Sequence, residues 1–290
     1  MAPVLAQGVE LESASAPAAE PTAAEPEPRG EPETSGEPLT PAASSPPPWA
    51  ATLELYGFAP LRTTGTTTVK GFSADTDLGL GEVLDILQWI SHGRASIERN
   101  RWGLLTDLTY VKLGDSLAAT TKRGLFTGKA EVAMIQGIYD LAVRYRFGDR
   151  EAAVGTPGQF SLIPYAGIRL IQADLNVEAQ IQGPRGRTIF EKEGDVGRTW
   201  VQPLIGTQAS LFLSPRLRAF ARADVGGFGL SGEQDLSGNA QLGLGYAVGN
   251  NTDLNLSWRY LGIEYDNGAA RETGYSVFQN GFELGLKFFF

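Results

Sequence analysis

The last sixteen residues read Tyr275-Ser-Val-Phe-Gln-Asn-Gly-Phe-Glu-Leu-Gly-Leu-Lys-Phe-Phe-Phe290. Counted back from the terminus, apolar side chains occupy every second position, at Phe290, Phe288, Leu286, Leu284 and Phe282. A period of two predicts a β-strand with one apolar face, because successive side chains of a strand point to opposite sides. An ending of bare aromatic residues is typical of a strand that faces lipid.

The first 48 residues differ in composition from the rest of the chain. They hold 11 of the 17 prolines and eight acidic residues against the single Arg29, so this segment carries −7 of the total charge of −9. Such a composition cannot bury a core, and residues 1–48 are therefore predicted to be a disordered tail in the periplasm. Residues 1–6 are typical of the end of a secretory signal peptide, with an ordinary polar tail as the alternative. The tail is either a spacer that touches the cell wall or a linker without a partner.

Residues 49–290 are nearly neutral, and their arginines are scattered along the chain, which argues against nucleic acid as a partner. Cysteine is absent from the sequence, so disulfides and cysteine-ligated metals are excluded. No run of about 18 apolar residues occurs, so no helix is expected to span a membrane. A closed β-barrel remains as the spanning architecture, and neither a cofactor nor a metal is expected.

From Trp49 onward, apolar and polar residues alternate in long segments. They predict an all-β fold for residues 49–290, a closed antiparallel transmembrane β-barrel of about ten strands, within a range of eight to twelve. Residues 62–78 are predicted to form a hairpin, and residues 78–91 a short amphipathic helix in the first external connection. The apolar stripe of this helix comprises Leu80, Val83, Leu84, Leu87 and Ile90. The helix is either a plug in the lumen or a lid over it.

The predicted connections alternate in length along the chain. Short turns are expected near residues 100, 148–159, 214 and 250, and longer connections near residues 62–91, 114–128, 178–197 and 266–274. The connection at residues 229–235 is the shortest of the second set. Short periplasmic turns opposite longer external loops are typical of outer-membrane barrels.

Alternation alone leaves open which face of each strand meets lipid. The chain has 18 Arg and only 6 Lys, and the planar guanidinium suits enclosed ion-pair networks better than a solvated sheet face. We therefore predict that the strand charges lie inside the barrel. This lumen ion network comprises Glu54, Arg94, Glu98, Asp107, Asp140, Arg144, Arg169, Arg218, Arg222, Asp224, Arg259 and Glu283.

Aromatic residues gather at one set of predicted strand ends, where an interfacial girdle is expected. The predicted girdle and terminal assembly signal comprise Phe282, Leu284, Leu286, Phe288, Phe290, Trp102, Tyr145, Phe147 and Tyr246. The terminal stretch resembles the C-terminal aromatic signature of bacterial outer-membrane β-barrels, which the assembly machinery of that membrane reads. This resemblance implies outer-membrane lipid and the assembly machinery as partners.

Three internal runs resemble a widespread family of small bacterial outer-membrane β-barrel proteins that mostly lack an assigned activity. They are residues 101–110, 224–229 and 258–266. The family commonly has Gly-Tyr-Arg-Tyr where this chain has Ser257-Trp-Arg-Tyr260, a departure that keeps the inward arginine. The resemblance spans roughly residues 49–290 and implies the fold and an outer-membrane location, but says little about a substrate.

Two classes of function follow from these features. The preferred one is a structural barrel or a narrow passive channel for small solutes, with a charged and largely filled lumen and no enzymatic activity. The alternative is a surface interaction or adhesion protein that works through its external loops. A remote alternative is a lipid-modifying outer-membrane enzyme, which would use the single histidine, His92, with Ser91 or Ser96 and Glu98. The plain interpretation of His92 is a residue at the barrel rim.

Overall fold

The computed structural model describes residues 48–69, 72–120, 127–182, 188–269 and 273–290. The predicted tail, with its signal-like start, lies outside the described residues apart from Pro48. The elements are β1 (Trp49–Val69), β2 (Phe72–Gly79), α1 (Leu80–Ile86), β3 (Leu87–Arg99), β4 (Trp102–Thr120), β5 (Thr127–Tyr145), β6 (Phe147–Gly148), β7 (Phe160–Gln182), β8 (Thr188–Ser214), β9 (Leu217–Gly226), β10 (Gln234–Ala247), β11 (Thr252–Asp266) and β12 (Gly274–Phe289).

Ten long strands form one closed antiparallel barrel, as predicted. They pair in chain order from β1 through β3, β4, β5 and β7 to β12, and β12 pairs with β1 to close the sheet. Strand β2 pairs with residues 62–69 of β1, and β6 contributes two residues that pair with β7. The pairing of β12 with β1 joins the two terminal strands, as closure of a barrel in lipid requires.

The two ends of the barrel differ. The turn end holds Trp49, Phe290 and the connections at residues 100–101, 149–159, 215–216 and 248–251. The loop end holds the opposite connections, where β4 pairs with β5 as far as Thr120 and β7 pairs with β8 as far as Gln182. The described parts of the loops predicted at residues 114–128 and 178–197 are therefore strand. Backbone pairing continues there without an apolar face, so the hydrophobic pattern did not reveal it.

The predicted helix is present but shorter than expected. It covers Leu80–Ile86 instead of residues 78–91, and Leu87 and Ile90 belong to β3. Pairing of β3 with β4 begins at Leu87 opposite Leu113, and this pairing places those two residues in a strand. No helix among the described residues is long and apolar enough to cross a membrane.

The barrel is apolar outside and charged inside. Large apolar side chains are exposed on the outer face all around the barrel, and they include Leu55, Ile97, Leu108, Leu141, Ile168, Ile205, Leu242, Leu256 and Leu284. The alternating inward positions bury arginine and carboxylate side chains. A band of exposed leucine, isoleucine and valine around a polar interior is the arrangement of a transmembrane barrel and the reverse of a soluble one.

Three levels follow one another inside the lumen. At the turn end, residues 149–159 fold against the barrel, where Ala153 packs with Ala247 and Phe289. Charged side chains fill the middle. Towards the loop end, an apolar cluster forms on one side, from Ile138, Ile171, Trp200, Leu261, Ile263, Tyr265, Tyr275 and Val277. A cavity lies on the other side, against β1, β3 and α1.

Candidate functional site

The middle of the lumen is occupied by a set of side chains that we call the ionic layer. It comprises Glu54, Tyr56, Arg94, Asp107, Asp140, Tyr165, Arg169, Arg222, Asp224, Arg259 and Glu283. Strand alternation sends all of them inward, and each of these residues is at most 8% exposed. The layer is thus nearly dry, and its charges depend on one another for compensation.

Asp107 lies at the centre of the ionic layer. Its Oδ2 accepts hydrogen bonds from Arg94 Nε at 3.0 Å and from Arg222 Nη1 at 2.5 Å, and its Oδ1 accepts one from Tyr56 OH at 2.6 Å. Arg222 belongs to β9, on the far side of the barrel from β4. The bond between Arg222 and Asp107 therefore crosses the lumen.

Arg169 links three carboxylate and hydroxyl partners beside this crossing. It donates to both oxygens of Asp140 at 2.7 and 2.8 Å, to Asp224 Oδ1 at 2.7 Å and to Ser237 Oγ at 3.0 Å. Two parallel N–H···O bonds to one carboxylate fix its plane as well as its distance. Arg222 Nε also donates to Tyr165 OH at 2.9 Å, which joins the two arginine sites.

The remaining side of the ionic layer is closed by Arg259. It donates to Glu283 Oε2 at 2.9 Å and to Asn239 Oδ1 at 2.8 Å. Arg94 Nη1 donates to Glu54 Oε2 at 2.9 Å. Through Ser237, which donates to Gln202 Oε1 on β8 at 2.7 Å, the hydrogen bonds reach all ten barrel strands.

A second group of charges lies nearer the turn end, and we call it the turn-end cluster. It comprises Glu98, Arg144, Arg146, Glu151 and Lys287. Glu151 accepts from Arg144 Nη2 and from Lys287 Nζ, both at 2.7 Å. Burial of Glu151 opposes its ionisation, but Lys287 and Arg144 outweigh burial and hold the pKa of this carboxyl well below its usual range.

The structure places all twelve predicted network residues inside the barrel, but in three separate groups. Nine belong to the ionic layer, Glu98 and Arg144 belong to the turn-end cluster, and Arg218 pairs with Asp253 at 2.8 Å. Sequence reasoning missed Arg146, Glu151, Asp253 and Lys287. Glu151 lies in a predicted turn, so no strand alternation marked it. Lys287 could have been found, because it alternates with the outward residues of the closing strand.

The residues of the predicted girdle and terminal assembly signal all face outward. Trp102 packs edge-on against Tyr145, whose ring packs in turn against Phe147. These rings lie at the turn end, beside residues 100–101. The aromatic residues could anchor this end at a membrane boundary.

The cavity at the loop end has a volume of about 650 Å³. Apolar side chains of β1, α1, β3, β4 and β11 dominate its wall, and they include Phe58, Val83, Leu87, Leu113 and Leu261. His92 lies at its floor, above the ionic layer, and Thr63 lines it seven residues beyond Tyr56 along β1, nearer the loop end. His92 Nδ1 and Thr63 Oγ1 are buried and have no hydrogen-bond partner among the described residues.

The residues of the remote enzymatic alternative are not brought together. His92 faces the lumen and stacks on Tyr56 with 5.1 Å between ring centroids, whereas Ser91 is exposed on the other face of β3. Ser96 accepts from Arg144 at 2.8 Å, and Glu98 binds Arg144 and Arg146 in the turn-end cluster. The described residues also contain no group of three or more metal-ligating side chains.

Closed strand pairing, a charged interior and an apolar exterior define the chain as an outer-membrane β-barrel of ten strands. No protein-family profile matches the sequence, and no curated protein does. Solved structures do match. The outer-membrane protease OmpT from Escherichia coli is 12% identical with a TM-score of 0.49, over 84% of this chain and 97% of that chain.

Two further solved structures match this chain. Neisserial surface protein A is 13% identical with a TM-score of 0.23, over 83% of this chain and 96% of that chain. Ail, the attachment invasion locus protein of Yersinia pestis, is 10% identical with a TM-score of 0.27, over 83% of this chain and 98% of that chain. The prediction that the chain is not an enzyme is contradicted, because the structures that it matches include an outer-membrane protease.

Proposed function

We propose that this protein is a sealed outer-membrane barrel, which does not let solutes pass along its axis. The observation that carries this proposal is the ionic layer, whose hydrogen bonds reach all ten strands and cross the lumen between Arg222 and Asp107. Within the preferred class, which comprised a structural barrel and a narrow channel, the structural barrel fits this geometry better.

A second seal supports the same proposal. Residues 149–159 cover the turn end, and Glu151 reaches into the lumen to bind Arg144 and Lys287. Between the two seals lies a small polar void of about 40 Å³, which is room for very few water molecules. A solute would have to displace two sets of buried ion pairs, and each displacement would strand charges in a dry interior.

Conductance in planar bilayers tests the proposal. We expect no steady current from the wild-type protein. Opening one seal alone, by Arg222→Ser with Asp107→Ser or by Glu151→Ser with Lys287→Ser, should leave the barrel closed, because the seals act in series. The four substitutions together should admit current. A steady wild-type current would contradict the proposal.

The chain offers a matched control for the opening of the first seal. Arg62 and Asp77 form an ion pair at 2.9 Å on the hairpin of β1 and β2, where both side chains are more than half exposed. Arg62→Ser with Asp77→Ser, combined with the two turn-end substitutions, removes the same number of charges as the fourfold variant. This control should stay closed, because the ionic layer is intact.

We also propose an orientation and a set of partners. The turn end would lie in the periplasm with the tail, which could touch the cell wall, and the loop end would lie outside the cell. The assembly machinery would bind the outward face of β12, where Phe282, Leu284 and Leu286 are exposed. Removing Phe288–Phe290 should then leave the protein unassembled in the periplasm and protease-sensitive. Normal assembly of the truncated chain would contradict this role.

A further inference from the structure

The barrel wall is interrupted between β1 and β3. Pairing of these strands runs from Trp49 with Arg99 as far as Leu55 with Gly93, and β1 resumes pairing on that side at Arg62 with Gly79 of β2. Residues 56–61 of β1 and residues 87–92 of β3 thus lack a strand partner towards each other among the described residues. We call this interval the wall gap.

The local sequence explains why the strands separate. Pro60 has no backbone N–H to donate, and β1 carries a bulge between Pro60 and Arg62. Helix α1 follows β2 and contacts β1, β2 and β4. Because the hydrogen bonds of a helix are internal, α1 can lie beside these strand edges without pairing with them.

The wall gap lies at the level of the lipid-facing belt. The edge of β1 that faces away from the wall gap pairs with β12, and this register sets Gly57 beside Leu284 and Ala59 beside Phe282. Those two β12 side chains are 54% and 48% exposed on the outer surface. On β3, residues 88–91 are exposed on both faces of the strand, and Trp89 is 62% exposed. The wall gap therefore opens towards lipid.

The loop-end cavity reaches this gap. Its wall includes Gly57 and Ala59, which alternate with the outward Leu55, as well as Phe58 and Thr63, which point into the lumen. Residues from both faces of one strand can line the same cavity only where the cavity passes the strand edge. The cavity is thus continuous from the inside of the barrel to its lipid-facing side.

The chemistry of the cavity indicates its ligand. The walls are apolar, and the volume of about 650 Å³ is in the range of sites for small molecules. Two buried polar atoms, His92 Nδ1 and Thr63 Oγ1, lack a hydrogen-bond partner among the described residues. At membrane depth an unpaired polar atom is costly, so a ligand with an oxygen within reach of Thr63 Oγ1 would be favoured.

We propose that the wall gap is a membrane-side entrance for a single-chain amphiphile, a fatty acid or a molecule like it. The acyl chain occupies the apolar cavity, and an oxygen of its carboxyl group accepts a hydrogen bond from Thr63 Oγ1. The ligand comes from the bilayer itself, because the entrance faces the lipid belt. This site goes beyond the sealed barrel proposed above, since it needs no passage along the lumen.

Uptake of a fluorescent polyene fatty acid from vesicles that contain the folded protein tests the entrance. A tryptophan at Gly57 should cover it, because a Cβ at this position meets no atom within 4 Å and points outward. We expect saturable binding by the wild type and uptake at least about tenfold slower in Gly57→Trp. Ala221→Trp, outward on the fully paired strand β9, is the matched control and should bind at the wild-type rate.

Two further variants test the cavity. Val83→Trp should abolish binding by filling it, since Val83 lines the cavity and is buried. Thr63→Val should weaken binding of the fatty acid by roughly fivefold to tenfold but leave a matching hydrocarbon unaffected, because one hydrogen bond is lost. Heat-modifiable migration on gels establishes that each variant is folded, and Leu61→Trp replaces Gly57→Trp if that variant is not.

The possible outcomes decide between the proposal and its rivals. Slow uptake in Gly57→Trp together with loss of binding in Val83→Trp supports a membrane-side entrance. Wild-type uptake by a folded Gly57→Trp protein, with loss in Val83→Trp, would show entry from the loop end and overturn the proposal. Absence of saturable binding by the wild type would overturn the site itself, while leaving the sealed barrel untouched.

Discussion

The ionic layer and the loop-end half of the same lumen are built in opposite ways. In the ionic layer, each guanidinium has at least two partners on different strands, and Asp107 alone accepts from Tyr56, Arg94 and Arg222. In the loop-end half, the walls are apolar, and Thr63 Oγ1 and His92 Nδ1 have no partner at all among the described residues, whereas in the ionic layer only Arg94 Nη2 is unpaired, on a guanidinium that is otherwise bonded. Satisfied polar groups hold a structure in one arrangement, whereas unsatisfied ones are available to a ligand.

The strand pairing changes at the same place. Glu54 and Arg94 face each other in the last part of the β1–β3 ladder, and their ion pair belongs to the ionic layer. Just beyond Leu55 the two strands separate and the wall gap begins. The difference teaches that the barrel is closed where its charges pair across strands, and open sideways where they do not.

Breaking the centre of the ionic layer should have the largest effect. Asp107→Ala leaves Arg94 and Arg222 buried with one carboxylate fewer, and loss of one partner of a buried ion pair costs about 3–5 kcal/mol. The free energy of unfolding in urea, measured in lipid vesicles, gives the value. Asp77→Ala, in an exposed ion pair, is the control and should be nearly neutral. A cost below about 1 kcal/mol for Asp107→Ala would remove the contrast between the two halves.

The second-largest loss of stability is expected from a charge on the lipid-facing side of the barrel. Ala221 is exposed among the lipid-facing residues of β9, so Ala221→Arg should cost about 2–4 kcal/mol near the bilayer midplane. The same urea titration measures it, with Ala221→Leu as a control that should be tolerated. Gln208 faces the lumen but is unsuitable as a control for an arginine substitution. It lies opposite Arg222 in the β8–β9 ladder, so an arginine there would add a like charge. If Arg and Leu behave alike at position 221, the assignment of the outer face is wrong.

The turn-end cluster should make stability depend on pH. The pKa of Glu151 is lowered in the folded state, so its contribution is present above the unfolded value of about 4.3 and is lost as the pH falls below it. Glu151→Gln should cost about 1.5–3 kcal/mol at pH 7, as expected for hydrogen bonds to charged groups. Urea titrations at a series of pH values should show this difference shrinking progressively below pH 4. A difference independent of pH would mean that Glu151 acts through shape alone.

The sequence predicted the ionic layer but not the cavity. Residues such as Arg222 and Asp224 alternate with apolar neighbours on one strand, and this local pattern decides their direction. The cavity depends instead on where β1 leaves β3, which is a relation between strands about 30 residues apart that no single pattern records. Pro60 was the available signal, because proline is disfavoured in a continuously paired strand.

Two other differences have similar causes. The helix was predicted over residues 78–91 because Leu87 and Ile90 fit a helical stripe, yet two apolar residues three positions apart also fit a strand with a bulge, and β3 has a register shift between Leu87 and Trp89. Glu151 was missed because a turn has no period. Tertiary ion pairs with Arg144 and Lys287 bring it into the lumen.

The smallest effect is expected in the apolar cluster of the loop-end half. Ile263 is fully buried there, among side chains that include Trp200 and Leu261, so Ile263→Val removes one methylene from a packed environment. Such a change typically costs about 0.5–1.5 kcal/mol, which is well below the cost at Asp107. Urea titration in the same vesicles measures it, and Ile205→Val, half exposed on the outer face, is the matched control. In the control the shortened side chain is replaced by lipid, so little or no loss is expected. A cost at Ile263 as large as that at Asp107 would mean that the apolar cluster contributes to the stability of the barrel as strongly as the ionic layer does. The contrast between the ionic layer and the loop-end half of the lumen would then not hold.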